Sequence, residues 1–141
     1  MAYIEWFNRH ADKHNTIVEK LQNKNFTKEQ IVDYFDFENM LKEENDFCPL
    51  YKEPKKCHDM EELNCYLCAC PNFRFDDNGI KKIEQATQFS FCQIDSEDGR
   101  QGIYGEKIHQ DCSKCSVPHH KDYVLKNFDL DWKKIMKKCS L

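Results

Sequence analysis

Between residues 2 and 22, apolar side chains return at helical spacing: Ile4, Phe7, Ala11, Val18 and Leu21 lie three, four or seven apart. That period marks one face of an amphipathic helix. His10 and His14 sit four apart near the same face. They are read as half-exposed helix residues, because His-x3-His alone is a weak metal signal. Residues 23–25, Asn-Lys-Asn, break the pattern. Thr27 with Gln30 then forms a capping box, and Phe26 is placed to staple onto Ile31. The second helix is predicted from Lys28 to Lys42, burying Ile31, Phe35 and Leu41. The two helices form an N-terminal hairpin over residues 1–46.

Residues 47–120 lose helical periodicity. Asp77-Asn78-Gly79 is a turn signal, read as a hairpin tip after Asn72-Phe73-Arg74-Phe75. Phe89-Ser90-Phe91 alternates like a short strand, and residues 95–105 read as a polar loop. Residues 121–141 turn helical again. Tyr123, Val124 and Phe128 form an apolar patch, and Asp131 caps a last helix carrying Trp132, Ile135, Met136 and Cys139. This tail is read as a docking helix with a solvated lysine face, and Cys139 as a packing residue or free thiol.

Cysteine usage changes the picture most. Eight of the nine cysteines lie between positions 48 and 115. The N-terminus has no basic start, apolar stretch or small-residue cleavage site of a secretory signal, so a cytoplasmic protein is expected. In that setting clustered thiols are metal ligands more often than disulfides. No apolar run approaches the roughly 20 residues of a membrane span. Residues 47–120 carry 9 basic and 12 acidic side chains, net −3, and only the tail is basic, with 6 against 3. Nucleic acid is therefore an unlikely partner.

Cys65-x2-Cys68 and Cys112-x2-Cys115 each place two sulfurs in one tight turn. Two such turns supply the four thiolates of a tetrahedral zinc site, with Zn–S distances of about 2.3 Å. Cys48, Cys57, Cys70 and Cys92 make a second possible set, and His58 and His119 add further donors. Spacing does not fix the partition. Cys68-Ala69-Cys70 is awkward for one ion and suits two neighbouring centres. An Fe–S cluster beside one zinc fits the same inventory.

Cys48-Pro49-Leu50-Tyr51, Cys57-His58, Asn64-Cys65-Tyr66-Leu67-Cys68-Ala69-Cys70-Pro71 and Asp111-Cys112-Ser113-Lys114-Cys115-Ser116-Val117-Pro118-His119 follow one another in order. This compound pattern resembles the cysteine-rich small-domain family, described as zinc-finger-like, over about residues 47–124. The resemblance implies metal binding, with Cys48, Cys57, His58, Cys65, Cys68, Cys70, Cys92, Cys112, Cys115 and His119 as candidate ligands. The helical pair and the long 72–111 insert depart from the family pattern.

The expected fold is α+β: a small metal-stabilised, cysteine-rich core of short strands and loops at 47–120, an N-terminal helical hairpin at 1–46, and a C-terminal helical tail at 121–141 packing on the core. The expected function is binding one or two zinc ions structurally in a module that meets another protein. An Fe–S redox or metal-handling protein is the alternative. No phosphate-cradling glycine loop, nucleophile elbow or His-Glu-x-x-His helix is present, so catalysis is not the first expectation.

Overall fold

A computed structural model describes residues 2–141. It has mixed α and β character, with five α-helices and two small sheets among the described residues. Helix α1 runs Tyr3–Asn23 and buries Phe7, His10, Ala11, His14, Ile17, Val18 and Leu21. Both histidines lie on the buried face, at 5% and 0% exposure. The half-exposed expectation is thereby corrected: aromatic neighbours supply an interior for the two rings that periodicity of apolar letters does not reveal. Ala2 offers no capping side chain. Instead the Asp77 carboxylate accepts from the backbone N–H groups of Tyr3 and Ile4, at 2.7 and 3.0 Å. An acid from the Asp-Asn-Gly turn thus satisfies orphan donors at the positive end of the helix dipole.

The second predicted helix is two. Helix α2 spans Lys28–Tyr34 and opens on the Thr27–Gln30 capping box; α3 spans Phe37–Glu43. Between them Asp36 is extended and bridges Asn64. The backbone there exchanges hydrogen bonds with a distant segment: Phe37 N–H donates to Leu63 O and Cys65 N–H to Phe35 O, both at 2.8 Å. The Asn64 amide also donates to Val32 O at 2.7 Å and to Asp36 Oδ1 at 2.9 Å. A partner 28 residues away therefore replaces the helical bonds lost at the break.

Strand β1 (Phe73–Phe75) pairs antiparallel with β4 (Ser90–Cys92). Strands β2 (Lys81–Ile83), β3 (Ala86–Gln88), β5 (Arg100–Tyr104) and β6 (Lys107–Asp111) form a second sheet in the order β2-β3-β6-β5. Two expectations change here. The Asp77-Asn78-Gly79 turn is present, with Gly79 at φ +95, but it leads into β2 rather than joining β1 to a partner. Residues 100–104 of the expected loop are a strand, closed onto β6 by a two-residue turn whose Gly105 sits at φ +67.

Helices α4 (Lys121–Lys126) and α5 (Trp132–Ile135) complete the chain. The Asp131 side chain caps α5 by accepting from Lys133 N–H. Trp132 is buried against Phe7, with ring centroids 4.9 Å apart. Beyond α5 the chain pairs with β1: Phe75 N–H donates to Cys139 O at 2.8 Å and Leu141 N–H to Phe75 O at 3.0 Å. One hydrophobic cluster runs from Phe7 to Cys139, drawing on all three sequence segments. No helix is long and apolar enough to cross a membrane.

Candidate metal centre

Both Cys-x2-Cys segments close as tight turns. Cys68 N–H donates to Cys65 O at 3.4 Å and Cys115 N–H to Cys112 O at 3.0 Å. Between the turns the chain swings abruptly, with Ala69 at φ +90 and Cys70 at φ +65. This swing separates Cys68 from Cys70 and decides how the sulfurs are grouped.

Two groups form, and they are not the ones that pairing the Cys-x2-Cys turns would make. Cys48, Cys57, Cys65 and Cys68 are close enough that, beyond burial, the charges of neighbours in this set add to the rise in pKa of Cys57, Cys65 and Cys68. In a second set, the charges of Cys92 and Cys115 add to the burial that raises Cys70 and Cys112. Each turn thus joins thiols from outside the other turn. Tyr51 faces the first group and Tyr123 the second, and the neighbouring sulfurs add to the burial that raises both phenol pKa values. Ser96 Oγ lies 3.2 Å from Cys115 Sγ. Tyr51 belongs to the Cys48-Pro49-Leu50-Tyr51 motif, whereas nothing in the local sequence around Ser96 or Tyr123 distinguishes them; folding alone puts those two here.

Burial is the main cause of the thiol shifts. It pushes Cys65 and Cys112 up to about 12 and Cys68 well above the usual thiol value. Cys57 and Cys70 rise for the same reason, with smaller opposing help from nearby backbone N–H groups. Low dielectric disfavours the charged form, and like neighbours add to the penalty. All nine cysteines are free thiols. Without a positive counter-charge, Cys65, Cys68 and Cys112 stay protonated at neutral pH.

The histidines separate cleanly. His119 is buried, and its Nδ1 lies 2.9 Å from Asn64 O. With Nδ1–H donating to that carbonyl, Nε2 is left as the free donor atom, and it faces Cys57 Sγ at 3.7 Å. Burial first, with the charges of His58 and His120 added, lowers the His119 pKa to about 4. The ring is therefore neutral at pH 7, the form that binds metal. His58 meets it edge-on at 68°, centroids 4.7 Å apart, and its buried Nδ1 has no hydrogen-bond partner. Among the described residues, Cys57, His58 and His119 are the three metal-ligand side chains whose donor atoms all lie within 4.8 Å of one another. His109 instead bonds Tyr3 Oη at 2.5 Å, and His120 bonds Ser116 Oγ at 2.9 Å.

A cavity of about 460 Å³ adjoins both groups. Cys57, His58, Cys68 and His119 line it from one group, and Cys70, Cys92, Cys112 and Cys115 from the other. Cys48 and Cys65 are not among its lining residues. No Asp, Glu, Lys or Arg side chain lines it. Cys139 borders it too, but its thiol points at Cys70 O, 3.6 Å away, and it packs as a core residue.

No family model, characterised protein or solved structure matches this chain. The likeness to the cysteine-rich small-domain family rests on the motif residues alone.

Proposed function

We propose that the protein is a metal-binding module with two adjacent cysteine-rich centres, one on each side of Ala69, and that the bound ions are structural zinc. One observation carries this assignment: ligand-type side chains scattered from Cys48 to His119 are gathered into two groups around a cavity that lacks charged walls. Burial makes these thiols costly to ionise alone, and a divalent cation reverses that cost by binding the thiolate directly. The neutral His119 ring, fixed by Asn64, matches the outer-shell arrangement that orients metal-bound imidazoles. Exposed Ile103 and Tyr104 on β5 give the module apolar side chains to offer a protein partner.

An Fe–S centre is the second assignment, and one observation favours it. Among the described residues no three sulfurs of either group lie within 4.8 Å of one another, and the cavity beside Cys70, Cys92, Cys112 and Cys115 has room for more than a single ion.

Metal analysis and a visible spectrum on protein purified without oxygen decide between them. Two zinc ions per chain in a colourless protein are expected. Iron with brown colour selects the cluster. A metal-free preparation with sulfurs joined in pairs defeats both.

A further inference from the structure

The Cys57–His58–His119 trio is built unlike the rest of the cysteine-rich region. It mixes one thiol with two imidazoles, and Cys57 is exposed whereas Cys65 and Cys115 are buried. His119 is anchored from behind through Nδ1, while His58 keeps an unpartnered buried nitrogen. An orphaned nitrogen of that kind costs free energy until something binds it. All three side chains border the cavity, whose other walls include Trp6, Phe73, Ile94 and Val117.

We infer that an ion held by Cys57, His58 and His119 keeps its fourth coordination position open to this cavity, and that the position takes a small apolar thiol, bound as the thiolate. The inference rests on the metal-binding assignment above, with the first centre's ion seated on Cys57, His58 and His119 rather than on the four thiols of that group. Three protein ligands with one exchangeable position is the arrangement of zinc sites that bind exogenous molecules. A divalent cation with one thiolate and two neutral imidazoles carries a net charge of +1. One further thiolate neutralises it, and zinc accepts sulfur readily. On binding, the thiol releases its proton to solvent and displaces water from the ion, so charge and atoms balance. The apolar walls then cover the thiol's hydrocarbon part. The competitor is Cys68, the one further thiol of the first group that reaches the cavity.

Cobalt(II)-loaded full-length protein, handled without oxygen, gives the test, because each thiolate on cobalt adds a near-ultraviolet charge-transfer band. Titration with 1-propanethiol is expected to raise that band saturably, by about the amount that Cys57→Ser removes, with cobalt content unchanged after gel filtration. Propanoate, the carboxylate counterpart, is expected to leave the band unmoved. His58→Ala is expected to lose one equivalent of cobalt and the thiol response together, while the remaining equivalent reports an intact fold. Full cobalt loading with no response to thiol overturns the inference and leaves the metal assignment standing. A response that appears only in Cys68→Ala also overturns it, by showing that Cys68 closes the site. Failure of the chain to bind cobalt at all removes both.

Discussion

At the scale of the residue, His10 and His14 show how much aromatic surroundings alter a polar side chain. His10 stacks on Trp6 with centroids 4.6 Å apart and meets Phe47 and Trp132 at 4.7 and 4.9 Å. His14 stacks on Phe35, and its Nε2 lies 3.1 Å from Tyr66 O. His10 Nε2 and His14 Nδ1 have no partners. Burial lowers the pKa of His10 from 6.5 to about 4, helped by Lys13, and that of His14 to about 3, helped by His10. The sign follows directly. A histidine whose folded pKa lies below its unfolded value favours folding above pH 6.5, and that contribution is lost as pH falls toward the folded value. At about 1.4 kcal/mol per pKa unit, His10 alone costs roughly 2 kcal/mol of stability between pH 7 and pH 5. His10→Phe keeps the ring stacking and removes both the charge and an unpaired nitrogen. Its stability advantage over the natural chain, read from urea midpoints, is expected to widen by roughly 2 kcal/mol over that interval. A constant gap would show that His10 does not titrate with unfolding. Acid release of metal affects both proteins and cancels in the comparison.

At the scale of the element, local signals were legible and distant ones were not. The Thr27 capping box and the Asp131 cap lie within a few residues of the groups they satisfy, and both are present as the sequence implies. The break between α2 and α3 depends on Asn64, and β5 depends on β6; neither partner shows in the segment's own letters. Asn64→Ala removes donors to Val32 O and Asp36 Oδ1 and leaves the buried Tyr66 N–H without the Asn64 Oδ1 acceptor. A loss of roughly 2–4 kcal/mol is expected by denaturant titration, and a loss under about 1 kcal/mol would mean that solvent or backbone readily takes over. The Cys68-Ala69-Cys70 turn makes a second case. Ala69 at φ +90 holds a conformation disfavoured for any side chain. Relief of about 1–2 kcal/mol on substitution by glycine outweighs the roughly 0.4–1 kcal/mol that glycine costs through unfolded-chain entropy. Ala69→Gly is therefore expected to be neutral or stabilising, and Ala69→Val destabilising by roughly 2 kcal/mol. The reverse order in a thermal melt would place the turn in a different backbone conformation.

At the scale of the whole molecule, the α+β class could be foreseen, while the grouping of the sulfurs could not, because it depends on where Ala69 turns the chain. The same geometry distributes stability unevenly. Helices and flanking segments supply nearly all of the hydrophobic cluster, and among strand residues Phe75 alone is a fully buried member. Strand β2 is exposed throughout, and β5 nearly so. The strands therefore bury little apolar surface at the usual gain of about 25 cal/mol per Å². Their attachment to the rest includes the Asp77 bonds to the start of α1, the Tyr3–His109 contact, the packing of Phe73 and Phe75 on Tyr3 and Phe7, the Asn72–Tyr123 hydrogen bond and the Cys139–Phe75 pairing, and the second thiol group spans the region from Cys70 to Cys115. An ion in that group, as proposed, would tie both ends of the β region at once, and zinc supplies apparent binding energy of about 10–16 kcal/mol in small peptides. Chelation is therefore expected to act regionally. Hydrogen exchange in residues 73–111 should rise to nearly unprotected rates when metal is stripped, while α1 keeps its protection and Trp132 its buried fluorescence. The first thiol group abuts Phe35, Tyr51 and Tyr66, so some loosening of α2 and α3 should accompany this. Simultaneous loss of α1 protection would show instead that metal binding and the hydrophobic cluster form one cooperative unit, and unchanged exchange in the strands would show that the β region holds itself together without an ion.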